Sequence, residues 1–301
     1  MTALHEKATL VSLEGSTWRG VKSDREATDG TANLYETTAD WVMTSKRLVD
    51  PAVLREPKRI LAQARNYLRG KSPGAADGKF IPGGLPPWDT KGWYIVPNIL
   101  NEQVTRNLGE FESQFIDAVA KLRAVLPTAI DTARAANSKL FRDEDYGTLD
   151  DIIGRYGFDT DKTKVPDAGD VRTNASKEFV AHLKDKMEAK STQKLKEVTS
   201  HAVRTVVDVA THLASALEEY NPEKKGAAPF RDSTVDKVRD LIGIIPALNV
   251  TGDAKLDKAR QDLLAAVGNK SAKEFREDDN AREDAAAKAR AVADNISNLF
   301  D

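Results

Sequence analysis

Cysteine is absent from all 301 residues. That removes disulfides, thiolate nucleophiles and Cys-ligated zinc, and it favours a reducing compartment. Aromatic residues are scarce at 6%, and apolar residues reach only 40%, slightly under the usual share. So lean a chain suits long helices in narrow bundles better than a thick α/β sandwich. No apolar run approaches the roughly 18 residues of a membrane span, and Met1 to Leu10 holds no basic-then-apolar leader. The expectation is a cytoplasmic protein without a membrane partner. An excess of one charge is also missing: 45 Lys plus Arg stand against 47 Asp plus Glu, a net of −2. This balance excludes a globally basic, histone-like binder and a polyacidic tail protein.

What is present is organised in three zones. Residues 1–97 hold all four tryptophans (Trp18, Trp41, Trp88, Trp93) and most of the turn formers. Thr9–Leu13 and Trp93–Val96 are β-favouring runs of strand length that pair as a small sheet. Between them Asp50-Pro51 opens a helix whose stripe Leu54, Ile60, Leu61, Ala64 and Leu68 runs to Gly70. Residues 98–221 carry the strongest helical signal. Val104, Leu108, Phe111, Phe115, Val119, Leu122, Leu126 and Ile130 recur at steps of three and four, on one face. Pro127 predicts a kink there instead of an end. A second stripe runs Val180, Leu183, Met187, Leu195, Val198, Ala202, Val206, Val209, Leu213, Leu217 and Tyr220. Ser191 interrupts it, so loose packing is expected mid-helix. Two stripes of similar length predict a long antiparallel helical hairpin, with an acidic, turn-rich insert (141–173) as a lobe at its tip.

Residues 222–301 begin after a linker at Asn221-Pro222 and Lys224-Lys225-Gly226. A helix through Val235, Val238, Leu241, Ile242 and Ile245 stops at Pro246, and another runs from about Ala254 to Val267. The last, from about Ala272 to Phe300, is rich in alanine and charge. It is helical by propensity, but its small apolar surface predicts fraying or dependence on a partner. The fold class is therefore mainly α: an elongated helical bundle with a long antiparallel hairpin and a small N-terminal β element.

Catalytic signatures are missing. Gly70-Lys71-Ser72 ends like a phosphate-binding loop, yet Arg65 stands where the leading glycine belongs, and a helix leads in where a strand should. Of His5, His182, His201 and His212, only the last two share a face, three turns apart, too far to hold one metal together. Carboxylate pairs such as Asp150-Asp151, Asp159/Asp161 and Glu277-Asp278-Asp279 match chance in a chain with 47 acids. No nucleophile elbow, HExxH or dinucleotide fingerprint occurs. The reading is a non-enzyme with no metal and no cofactor. One stretch deviates. Trp41 to Leu100 carries ten Lys or Arg (Lys46, Arg47, Arg55, Lys58, Arg59, Arg65, Arg69, Lys71, Lys79, Lys91) against four acids (Asp50, Glu56, Asp77, Asp89). Cations that track phosphates beside aromatics that stack bases suit single-strand binding. The candidate nucleic-acid contacts are Arg55, Lys58, Arg59, Arg65, Arg69, Lys71, Trp88 and Trp93. The bland reading makes the arginines a wet helix face and the tryptophans core. Complementarity with acidic parts of the same chain, or of a copy, is an equally physical use.

Several segments in order carry a resemblance: Ser45-Lys46-Arg47-Leu48-Val49-Asp50-Pro51 ahead of a basic helix, Trp93-Tyr94-Ile95-Val96-Pro97 leading into a long one, Phe230-Arg231-Asp232-Ser233 opening another, and Leu248-Asn249-Val250-Thr251-Gly252-Asp253. From roughly Thr37 to Val267 the chain resembles a bacterial and phage family of unknown function, often encoded near MoxR-type AAA+ ATPases and von Willebrand A-type proteins. The Gly/Pro-rich stretch Gly70 to Thr90 is longer than in that family's pattern. The resemblance implies a phage or mobile-element origin, in the host cytoplasm, and a helical accessory role; it supplies no catalytic residues. The expected function is protein–protein assembly, as a homo-oligomer or with an AAA+ ATPase. The alternative is single-stranded nucleic-acid binding through residues 41–100. The C-terminal Leu299-Phe300-Asp301 faintly resembles the tips by which single-strand binders recruit partners.

Overall fold

A computed structural model describes residues 4–167, 176–221 and 230–297. It is mainly α with a small β element. In chain order come α1 (Leu4–Lys7), β1 (Ala8–Ser16), β2 (Val21–Ser23), α2 (Arg25–Leu34), β3 (Ser45–Arg47), α3 (Arg55–Leu68), β4 (Trp93–Pro97) and α4 (Asn101–Asn137). Then follow α5 (Leu149–Ile153), β5 (Gly157–Lys164), α6 (Lys177–Glu218), α7 (Asp232–Leu248), α8 (Ala254–Val267), α9 (Ala272–Glu277) and α10 (Asp279–Ser297). The chain divides into two compact units, each built from separated stretches: Met1–Ser12, Asn66–Asn107 and Asp161–Asp301 in one, Leu13–Arg65 and Leu108–Thr160 in the other. The three consecutive zones of the sequence are thus not its compact units. The expected linker from Pro222 to Gly226, residues 168–173 of the insert and the tip Leu299–Asp301 lie outside the described residues.

The expected strand pairing forms: β1 and β4 are antiparallel with Thr9 opposite Val96 and Ser12 opposite Trp93. β5 completes a three-stranded sheet in the order β4-β1-β5. That strand was not expected, because Asp159-Thr160-Asp161 reads as a turn. β2 and β3 form a separate antiparallel ribbon.

The two long helices of the expected hairpin belong for the most part to different units, α6 to the first and α4 from Leu108 onward to the second. In the first unit α6 packs against α10 and α7, and α10 also against α8. α10 buries Ala281, Ala285, Ala286, Ala289, Val292, Ala293 and Ile296. Alanine lets two backbones approach closely, so dispersion contacts replace the large side chains this helix lacks. The single C-terminal helix expected is in fact two. Asp278 separates them, its carboxylate accepting from Ala281 N at 2.9 Å to cap α10. α7 runs two residues past Pro246, whose missing N–H costs one bond near a helix end. Asn249 then closes the turn to α8: its side chain accepts from Asp253 N at 2.7 Å and donates to Asp253 O at 2.9 Å. The Leu248–Asp253 segment is a turn built by hydrogen bonds.

In the second unit α4 buries Leu108, Phe111, Phe115, Ala118, Leu122 and Leu126. Leu122 and Leu126 lie in a cluster with Trp18, Leu48, Val49, Leu54, Tyr146 and Ile152. The helix continues through Pro127, as expected. α3 begins at Arg55, four residues after Pro51, because Asp50 to Leu54 form turns first.

Candidate interaction surface

The basic residues singled out from the sequence are put to several uses, most of them local. Arg59 grips Glu56 at 2.6 Å and Gln63 at 2.8 Å along α3. Arg65 donates to Gly15 O at 2.8 Å, and Arg69 to the Tyr94 hydroxyl at 3.3 Å. Arg55 and Lys71 are exposed and Lys58 is half-buried. Arg55 to Arg65 belong to one unit and Arg69 to Trp93 to the other. Trp88 is core: it is buried with Leu4, Ala8, Leu10 and Ile95, and Trp93 packs half-buried on the same cluster. The remaining face of Trp88 lies under Lys190, whose Nζ stands 4.8 Å from the ring centroid. The Trp88 indole, buried on one side and covered by Lys190 on the other, is thus a packing residue.

One basic residue of the zone serves the fold directly. Lys46 on β3 is buried, with Nζ 2.7 Å from Asp145, 2.9 Å from Asp24 and 2.7 Å from the Leu140 carbonyl. The ammonium thus lies against two carboxylates and donates to one carbonyl. Burial alone lowers the Lys46 pKa, but its bonds to Asp145 and Asp24 outweigh that and raise it. Asp24 is held low by the Ala27 N–H and then by Lys46. Burial pushes Asp145 up, and Lys22 and Lys46 pull it below its ordinary value. Arg134 adds a two-pronged pair with Asp143, and Arg142 pairs with Glu26. Much of the acidic insert is thereby neutralised by cations of its own unit, the internal complementarity weighed from the sequence. The carboxylate pair Asp150-Asp151 is also structural: Asp151 completes a capping box with Thr148, and Asp150 meets Arg123 at 2.6 Å.

The exception to this economy lies directly before Lys46, in residues the sequence reading passed over. Asp24 caps α2, and Thr37 N donates to Ala32 O while Glu36 N donates to Asn33 O. This double bond closes the helix C-terminus as a Schellman motif. The residue in the left-handed position is Glu36, at φ 48°, where glycine is the usual choice. A short turn of 3₁₀ helix, Ala39–Trp41, then leads back to β3. Thr44 holds this return, its N–H donating to Thr28 Oγ1 at 3.0 Å and its carbonyl accepting from Asp24 N at 2.9 Å. On this braced loop stand Leu34, Tyr35, Trp41 and Met43, exposed by 76%, 72%, 85% and 86%. Trp41 and Met43 flank Val42, whose backbone is extended. Single exposed apolar residues are ordinary, but four large ones within ten positions are not. Asp29, Glu36 and Asp40 around them are exposed. Among the described residues these three form no ion pair.

Among the described residues no group of three or more His, Cys, Asp or Glu is placed to hold a metal, and no helix is long and apolar enough to cross a membrane. Comparison of the chain with protein-family models, curated proteins and solved structures finds no match.

Proposed function

We propose that this protein is a non-enzymatic assembly factor that docks a partner protein on the Leu34, Tyr35, Trp41 and Met43 cluster. The exposure of those four side chains on a hydrogen-bonded loop is the observation that carries the reading. Trp, Tyr and Met are the residue types that concentrate in the energetically dominant centres of interfaces. A flexible loop would lose more entropy on binding than this braced one. The left-handed Glu36 fits the same view, since non-glycine residues in that region persist mainly where the chain needs the shape.

The acids around the cluster select the partner. Asp29, Glu36 and Asp40 favour a surface that pairs an apolar anchor with Lys or Arg. Two copies of this patch face to face would bring like charges together, so the fitting partner is another protein or a basic face of a second copy. The same acids repel phosphates, so Trp41 and Tyr35 do not favour a nucleic acid. The family resemblance makes a MoxR-type AAA+ ATPase the first partner to try. The test is a binding titration of such an ATPase against the wild-type chain and Trp41→Ser/Met43→Ser. Expected is saturable binding that weakens at least tenfold in the variant and with added salt. Equal binding by the two chains overturns the reading. So does an absence of both ATPase binding and concentration-dependent self-association in sedimentation.

A further inference from the structure

A second polar feature lies in the unit that contains α6. Gln193, Lys196, Glu197, Ser200, His201 and Arg204 follow one another at helical spacing along a single face of α6. Opposite them stand Pro86 and Pro87, and the two walls enclose a groove of about 480 Å³. The proline wall is fixed. The Gly84 carbonyl can only accept, so His201 Nε2 carries the hydrogen and donates to it at 2.9 Å. Ile95 N donates to Pro86 O at 2.8 Å, and Leu85 N to Leu68 O at 2.7 Å. Gly83 allows the loop to come this close: it sits at φ +72°, and a Cβ there would collide with the Thr205 side chain.

The charge in the groove is one-sided. Its single acid, Glu197, is already held by Lys194 at 2.7 Å and by Gln193 at 3.1 Å. Those bonds, Lys194 first, keep its pKa below the ordinary range. Lys196 and Arg204 are exposed, and among the described residues neither forms an ion pair. Ser200 lies one helical turn from each, about 6 Å along the axis in either direction. A lysine, a hydroxyl and an arginine on successive turns present donors to one point between them. An arginine fork and an ammonium both suit phosphate oxygens, and nothing anionic remains unpaired to oppose one.

We propose that this groove binds a phosphate group, with Lys196 and Arg204 as the charged contacts, Ser200 as the central donor, and Pro86 and Pro87 as an apolar shelf for the organic part. The site is independent of the docking cluster and takes a ligand of opposite charge. Phosphate can come as a small phosphoester or as part of a nucleic-acid strand. The test follows the ³¹P resonance of inorganic phosphate, of adenosine monophosphate and of a short oligothymidylate titrated with the full chain at low salt. Expected is saturable binding of at least one probe that falls at least fivefold in Lys196→Gln/Arg204→Gln. It should tighten two- to threefold in Glu197→Gln and change less than twofold in Lys255→Gln/Lys258→Gln, which removes the same charge from α8. Tighter binding of the oligothymidylate assigns the groove to a strand; equal or tighter binding of the monophosphates assigns it to a small ligand. The proposal is overturned if no probe saturates, or if the α8 variant loses as much affinity as the groove variant.

Discussion

Two neighbouring stretches of one unit treat polarity in opposite ways. At Lys46 a full charge is buried between Asp24 and Asp145. Three to twelve residues earlier, Leu34, Tyr35, Trp41 and Met43 leave large apolar surfaces in water. The first arrangement is tolerable because the ammonium lies between two carboxylates, whereas one unpaired buried charge would cost several kcal/mol. The second gives the isolated chain nothing, since apolar surface left in water forgoes about 25 cal/mol per Å². The buried charge therefore belongs to folding, and the exposed apolar group contributes nothing to it. Each can be altered while watching the other.

The largest stability effect is expected from Lys46→Met. It leaves two carboxylates facing each other without a cation and should cost about 3 kcal/mol in chemical denaturation. A loss under about 1 kcal/mol would show the cluster to be ornamental. The same cluster sets a pH dependence. Asp24 and Asp145 have lowered pKa values, so their contribution is complete above the ordinary carboxylate value of 3.8 and is lost as pH falls through their folded values. Lys46 is raised, so its contribution holds below 10.5 and is lost as pH climbs through its folded value. The share of stability that this cluster supplies, read as the difference between wild-type and Lys46→Met melts, should thus be flat between these limits and fall outside them. In Lys46→Met the alkaline component should vanish.

Tyr146→Phe comes next. The buried hydroxyl donates to Leu48 O at 2.6 Å, and its removal should cost about 1 kcal/mol. Glu36→Gly should go the other way, relieving the left-handed strain for a gain of about 0.5 to 1 kcal/mol. Smallest of all, Trp41→Ser/Met43→Ser should change unfolding stability by under about 0.5 kcal/mol while abolishing partner binding. A large destabilisation by that pair would dissolve the contrast and return the cluster to the core.

The two long helices show how far local sequence reaches. The α4 stripe was legible residue by residue: six of its eight predicted positions are buried, with Val119 and Ile130 only partly covered. The α6 stripe was equally periodic, yet its nine buried residues all lie from Val198 onward. The half before Val198, which contains Ser191, buries none. Periodicity tells which face is apolar, not whether anything covers it. α2 was missed because Arg25–Leu34 mixes Thr, Asp, Gly and Asn, poor helix formers; Asp24 as N-cap was the one available signal. The exposed cluster was missed for a related reason. Tryptophan and methionine in a sequence read as core by default, and only the fold shows which of them found a place inside. Trp88 did, although it had been chosen as a binding residue, and Trp41 did not.

By itself the sequence determined the helical class, the β1–β4 pairing and α8. These follow from periodicity, caps and residue chemistry within a few turns of chain. Tertiary structure alone decided that α10 covers α6 and that Lys46 pairs with Asp145. Each of those outcomes depends on residues up to about a hundred positions apart meeting in space, and a one-dimensional pattern carries no such distances.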